Sequence, residues 1–411
     1  MSRIDDLIAQ RCPQGVPIRP LGEVGTFVRG RRFTKADRVD EGLPSIHYGE
    51  IYTHYGVAAT SALSHVRPDL KPALRFAQPG DVIIAAVGET VEDVGKAVAW
   101  LGTEPVAVHD DCFIFRSSLD PKYVVYFMQS EAFNKPKESY VARAKVKRLS
   151  SDGLARLSIP LPPIEVQREI VRILDLFSGL TANLATQLDA ELEARQRQHS
   201  FYWASLLTPR AGWRATTLGE VAEVFDGPHA TPKKTDSGPW YLSISSLKNG
   251  RFDLTESAHL GEEEFSSWTR RVAPTFGDTM FSYETRLGQA AYWDRHEPAA
   301  LGRRMGVLRP RKTVINPRFL TLAYLGPQVQ KLIEEKTIHG STVDRIPIAD
   351  MAAWRISIPT LTEQQRIVGL LDKFDALVND LSIELPAELN ARRKQYDHYR
   401  DRLLTFKELA A

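Results

Sequence analysis

Apolar positions recur at alternating intervals of four and three along two stretches of this chain. The first runs Ile170, Leu174, Phe177, Thr181, Leu184, Leu188, Glu191, Arg195, His199, Tyr202 and Leu206; the second runs Ile367, Leu371, Phe374, Val378, Leu381, Leu385, Glu388, Arg392, Tyr396, Tyr399 and Leu403. That spacing is the seam of a heptad pattern and predicts two long helices. Each can bury its seam against the other, and a globular segment between them favours an antiparallel pair. The seam turns polar at Glu191, Arg195 and His199, which either fixes register or faces a partner. Pro386 lies inside the second helix and predicts a kink or a restart, because proline removes one helical hydrogen bond and crowds the preceding turn.

The two stretches belong to a repeat with a period of 197 residues. Leu21-Gly22-Glu23-Val24 returns as Leu218-Gly219-Glu220-Val221, and Gly80-Asp81 returns as Gly277-Asp278. Residues 162 to 208 set against 359 to 405 give 20 identities in 47 positions without a gap. Each half is a divergent segment followed by a matched helical one. The divergent segments read as mixed α/β: Asp81–Val87 and Met280–Tyr283 have the apolar character of strands entered through a turn, and Lys122–Ser130 and Arg318–Leu325 follow an Asp-Pro or Asn-Pro helix start. The predicted class is α+β: two mixed α/β domains separated by two long antiparallel helices, related by an internal pseudo-twofold duplication. The segments are 1–157, an N-terminal helix and first variable domain; 158–212, a helical repeat; 213–354, the second variable domain; and 355–411, the second helical repeat. Residues 2–15 stand before the first Leu-Gly-Glu-Val as 199–212 stand before the second, so the N-terminal helix is expected to complete the C-terminal repeat.

The chain has 411 residues, 43% hydrophobic and 25% charged, which suits several folded domains of roughly 100–200 residues each. Cys12 and Cys112 are its two cysteines, too few and too distant for a disulfide framework or a cysteine zinc site. Acidic residues at positions 5 and 6 and the lack of an apolar run near 18 residues lead us to expect a cytoplasmic protein. A formal charge of +2 excludes a polycation but permits local basic patches.

Ile159-Pro160-Leu161-Pro162-Pro163-Ile164-Glu165-Val166-Gln167-Arg168-Glu169-Ile170-Val171 leads into Leu174-Asp175, and a copy from Ile358-Pro359 through Glu363-Gln364-Gln365-Arg366-Ile367-Val368 leads into Leu371-Asp372. With the Leu-Gly-Glu-Val openings and Gly80-Asp81 followed by Gly95-Lys96, this resembles the specificity subunit of type I restriction-modification systems. The second half has Gly288-Gln289 where the resemblance calls for Gly-Lys. The resemblance covers nearly the whole chain. It implies a non-catalytic DNA reader, each variable domain reading half of a bipartite asymmetric site on double-stranded DNA. The helices would bind two adenine-N6 methyltransferase subunits, which restriction subunits then join. S-adenosylmethionine, ATP and magnesium would reside on those partners, with no cofactor on this chain. Gln167, Ile170, Leu174, Gln364, Ile367 and Leu371 then become candidates for partner binding, although Leu and Ile there equally suit a core.

Enzyme signatures fail. The nearest string to an (Asn/Asp)-Pro-Pro-aromatic methyltransferase motif, Asn316-Pro317-Arg318-Phe319, has arginine in place of the second proline. A phosphate-binding loop would need glycine at Thr90 and Ser or Thr at Ala97. No histidine pair has metal-site spacing, and no metal is assigned.

The DNA-contact candidates are cations and polar aromatics in loops. Arg29, Arg31, Arg32 and Lys35 crowd one short segment, and arginine suits both guanine edges and phosphates. Its counterpart holds His229, Lys233 and Lys234. His47 and Tyr48 lie in Ile46–Gly56, which reads equally as base-contacting groups or as a half-buried strand. Lys96 and Arg286 sit at the two hairpin turns. Lys145, Lys147, His339, Ser341 and Thr342 precede the helices, where the resemblance implies proximity to DNA; Arg148 and Arg345 serve there as ion-pair formers or readers. From Ser178 to Thr208 is about 46 Å of helix, or roughly 13 to 14 base pairs, so helix length is expected to act as a ruler between half-sites. A scaffold whose variable domains bind something other than DNA is the alternative from another class.

Overall fold

The computed structural model describes residues 3–142, 146–340 and 343–409. By its contacts the chain divides into two compact units: residues up to Gln187 together with those from Pro386 onward, and Leu188–Leu385. The division passes through the middle of both long helices, so each unit combines one variable domain with part of each helix.

The first unit is built on an antiparallel sheet of β1 (Gly25–Arg29), β2 (Val82–Ala85), β3 (Ala97–Trp100) and β4 (Cys112–Ser117) in the order β1-β4-β2-β3, with Ala58–Ala59 added in parallel at the β3 edge. Helix α1 (Pro121–Gln129) starts as the Asp-Pro signal predicts: Asp120 accepts from the backbone N–H groups of Lys122 and Tyr123. It covers the sheet with Tyr123, Val124, Val125, Tyr126 and Phe127, all buried. Helix α2 (Ile164–Leu207) follows.

The second unit repeats the plan. Strands β5 (Ala222–Phe225), β6 (Thr279–Ser282), β7 (Ala290–Tyr292) and β8 (Met305–Pro310) pair in the order β5-β8-β6-β7, and α3 (Pro317–Leu325) is capped by Asn316. Helix α4 (Leu361–Leu403) ends the plan and passes unbroken through Pro386, so the predicted restart does not occur. The loss is one bond: the carbonyl of Ser382 has no N–H donor four residues on.

The Gly-Asp motif is explained in both units by one device. Gly80 and Gly277 adopt φ of +94° and +99°, which a side chain would strain. The next aspartate caps the turn: Asp81 and Asp278 accept from the backbone N–H of Gln78 and Thr275 at 2.7 and 2.8 Å. Each also pairs with an arginine on the neighbouring strand, Arg116 at 3.0 Å and Arg309 at 2.7 Å.

Each unit is closed by a short antiparallel pair joining its start to the foot of its long helix, Ile18–Pro20 with Ser158–Pro160 and Arg214–Thr217 with Arg355–Ile358. The helices run antiparallel within each unit. In the first, Phe177 stacks on Tyr399 at 5.8 Å; in the second, Tyr202 stacks on Phe374 at 5.2 Å. The N-terminal helix Arg3–Arg11 does join the C-terminal repeat: Ile4 and Leu404 share one core, and Val16 pairs with Lys407 and Leu409 through the backbone.

The segment Ile46–Gly56 is not a strand. Strand Leu43–Ile46 ends there and a helix, Tyr48–Thr53, begins, because His47 caps it: its Nδ1 accepts from Gly49 N–H while Glu50 accepts from His47 N–H.

Candidate nucleic-acid interface

The basic segment after β1 is an outward loop held from below. Gly30 passes so close to His109 that a Cβ would lie 2.1 Å from its carbonyl oxygen. Gly227 occupies the equivalent position, 1.9 Å from the carbonyl oxygen of Met305, so both loops leave their sheets over a glycine. Arg31 N–H donates to Val108, and Phe33 is buried edge-on against the His109 ring at 4.9 Å. With the apolar residue turned in, Arg31, Arg32 and Lys35 stay exposed. Arg29 is exposed at the end of β1, its Nε–H donating to the Asp110 carbonyl at 2.7 Å.

A line of rings connects this loop to the first hairpin: Phe33 to His109, His109 to His47 at 4.4 Å, His47 to Tyr48 at 4.3 Å, Tyr48 to Tyr52 at 5.8 Å, and Lys96 over Tyr52 at 5.4 Å. Arg31, Arg32, His47, Tyr48 and Lys96 thus share one region. Lys96 is partly neutralised by Asp93 at 2.8 Å. Burial, reinforced by His109 and Arg38, pushes His47 down to about 4, so its ring is neutral near pH 7 and serves first as a helix cap.

His109, Asp110 and Asp111 place ligand-type atoms within 4.8 Å of one another. The chain already engages both ring nitrogens: Nε2 lies 3.1 Å from the Phe33 carbonyl oxygen, and Nδ1 accepts from Asp111 N–H at 3.2 Å.

The second unit answers with a different charge pattern. His229 contacts Asp226 through Nε2 at 3.1 Å and Arg304 through Nδ1, and Arg304 pairs with Glu284 at 2.9 Å. Lys233 and Lys234 are exposed, the latter over Tyr241 at 5.6 Å. Arg286 donates to the carbonyls of Ile244, Ser245 and Leu247, which makes it a strut for the neighbouring turn. His339 is exposed beside Asp344 at 3.1 Å. Lys147 lies on a strand paired with Val87–Gly88. Lys145, Ser341 and Thr342 lie outside the described residues.

Arg304 escaped the sequence reading. Its φ of +63°, uncommon for a residue with a side chain, has no local sequence signal beyond Gly302.

The six partner-binding candidates are placed inside the units. Gln167, Ile170 and Leu174, like Gln364, Ile367 and Leu371, are at most 3% exposed. Gln167 accepts from Asp120 N–H at 2.9 Å and donates to the Pro162 carbonyl at 2.8 Å; Gln364 does the same with Asn316 at 2.7 Å and Pro359 at 2.9 Å. These side chains lock each long helix to its own domain and offer no surface to a partner. Exposed apolar surface on α2 and α4 lies elsewhere, at Leu176, Leu180, Phe201, Leu377 and Ile383.

A duplicated sheet with a common frame, unlike polar loops and long helices define a class of two-domain α+β proteins built by internal repetition. The family model for the type I restriction modification DNA specificity domain matches residues 13–194 and again 211–391, and the chain belongs to that family. It is 30% identical over 305 residues to the specificity subunit of the Escherichia coli type I restriction enzyme EcoR124I/EcoR124II, covering 69% of this chain and 70% of that one. Its fold is similar to the HsdS subunit from Thermoanaerobacter tengcongensis, with TM-score 0.64, 17% identity and coverage of 95% and 97%. It is also similar to a chain from a study of complex assembly and conformational transition of the type I restriction-modification system, with TM-score 0.65, 20% identity and coverage of 95% and 98%. Among the described residues no helix is long and apolar enough to cross a membrane.

Proposed function

We propose that this specificity subunit reads a bipartite, asymmetric sequence on double-stranded DNA, one half through each variable domain, and itself performs no bond chemistry. Two methyltransferase subunits would supply S-adenosylmethionine and adenine-N6 methylation, and restriction subunits would supply ATP- and magnesium-dependent cleavage. The observation that carries this reading is the pairing of one sheet order, β1-β4-β2-β3 and β5-β8-β6-β7, with unlike loops on it. Each domain carries the same frame, while Arg31, Arg32 and Lys35 in one and His229, Lys233 and Lys234 in the other present different groups to base edges and phosphates.

The test replaces residues 213–350 with those of a relative and maps methylated adenines in a genome expressing the assembled enzyme. One half of the methylated sequence should change and the other should persist. Both halves changing together, or methylation without this chain, contradicts the reading. Binding should also weaken steeply with salt as phosphate contacts release counterions.

A further inference from the structure

The first variable domain contains a groove whose lining the described residues of the second do not repeat. It lies between the end of β1 and the strand Lys147–Leu149 and has a volume of about 470 Å3, within the roughly 300–1,000 Å3 of small-ligand sites. Phe27, Phe113 and Tyr140 contribute aromatic walls, and Arg29 and Arg148 contribute cations; no carboxylate lines it among the described residues. Arg148 is exposed, 3.8 Å from Asp111, and among the described residues the Arg29 side chain bonds through its Nε–H alone, to a carbonyl.

The sister domain shows that the frame does not need this arrangement. Strand pairing and the 197-residue period make Val224, Asp226, Tyr283 and Gly306 the equivalents of Phe27, Arg29, Ala86 and Phe113. The equivalence of Ala86 and Tyr283 is exact in its bonds: Ala86 accepts from Leu149 N–H at 2.9 Å, and Tyr283 accepts from Ile346 N–H at 2.8 Å. In the second domain, therefore, two aromatic walls are missing, an acid replaces the arginine, and a buried tyrosine stands where the first domain has a methyl group.

We infer that this groove binds one unstacked nucleotide, its base against the aromatic walls and its phosphate on Arg29 and Arg148. Aromatic faces accept any base, and arginine pairs with phosphate through two N–H groups at once. The nucleotide comes either from a DNA strand, as a residue displaced from the duplex stack, or from a free mononucleotide. The inference rests on the proposed DNA-reading role only for the first of these sources, not for the chemistry of the groove.

Two arms test it on the full-length chain. The first titrates the four nucleoside 5′-monophosphates by calorimetry. The second uses a duplex with the sequence methylated by the assembled enzyme, with 2-aminopurine at each position of one half-site in turn. Ala86→Tyr, which copies the second domain, and Tyr140→Ala, a change at a 36%-exposed side chain, are the blocking variants, with thermal unfolding as the folding control. A fluorescence change at one position, lost in both folded variants, supports the groove with DNA as source. Saturable mononucleotide binding that weakens at least ten-fold in Tyr140→Ala, with a silent duplex, supports it with a free nucleotide as source. If neither arm responds while the wild-type chain still binds the duplex specifically, the groove proposal is overturned and the DNA-reading role stands. If the assembled enzyme methylates no specific sequence, the DNA-reading role fails, and the mononucleotide arm alone then decides the groove.

Discussion

His199 Nε2 lies 2.7 Å from Asp375 Oδ1 where α2 meets α4 in the second unit. The positions one repeat away, Tyr396 and Ser178, meet through hydroxyls 3.3 Å apart in the first unit. The duplication has kept the meeting point and changed its chemistry. Asp375 also faces Arg318 at 3.6 Å and Arg251 at 3.8 Å, so its carboxylate holds three donors together with little solvent exposure. Asp375→Ala should cost about 1–3 kcal/mol, because charged donors lose a partner in a partly buried setting. Ser178→Ala, which removes only neutral hydroxyl contacts, to Tyr396 and Tyr126, should cost about 1 kcal/mol or less. Denaturant unfolding of the two variants measures the difference; equal losses would contradict it.

Gln167 and Gln364 each tie the backbone before a domain helix to the backbone at the foot of a long helix. Replacing either by leucine keeps the volume but strands a buried N–H and a carbonyl, at about 2–4 kcal/mol. Gln167→Leu and Gln364→Leu should therefore lower the unfolding midpoint, and any loss of subunit assembly should follow the fraction unfolded. Assembly lost at full folding would restore these residues as partner contacts.

The spine and the turns were readable because they depend on periodicity and on residues with narrow conformational roles. The spacing of Ile170, Leu174 and Phe177, the Asp-Pro and Asn-Pro helix starts, and Gly80 and Gly277 at positive φ all leave local marks in sequence. The recognition surface leaves few, because it depends on which strands meet. Around His47 the sequence suits base-contacting groups or a half-buried strand equally; the strand ends at Ile46, and a reciprocal bond with Glu50 three residues on makes His47 a helix cap. Nothing local marks Phe33, set among cations, as turning inward, because its partner, His109, lies 76 residues away. The groove beside Arg29 depends on the small side chain of Ala86, whose meaning appears only against Tyr283.

The polar part of the helical seam carries the same exposed pair twice, Glu191 with Arg195 and Glu388 with Arg392, each at 2.8 Å. Both pairs are about half exposed, and such pairs contribute about 0–1 kcal/mol. Substituting Glu388 and Arg392 together by alanine should change stability by under about 1 kcal/mol. If the variant also loses affinity for a methyltransferase subunit, measured with purified components, the seam's polar stretch serves partner choice; unchanged affinity makes it a solvated helix face.

His47 makes the first domain sensitive to acid. Its ring is pushed down to about 4 in the folded chain, chiefly by burial, against about 6.5 for histidine in an unfolded chain. Between those values the unfolded state takes up a proton that the folded state does not. The contribution is therefore intact above about pH 6.5 and is lost as pH falls toward 4, by roughly 1–2 kcal/mol after allowance for solvent screening of a partly exposed ring. His47→Asn retains a capping side chain and removes the titrating group, at the expense of ring contacts with Tyr48 and His109. Wild type should be the more stable at pH 7, and its advantage should shrink as the pH is lowered to 4.5, read as the difference in denaturant midpoint. An advantage that stays constant over that range would place the acid sensitivity elsewhere in the domain.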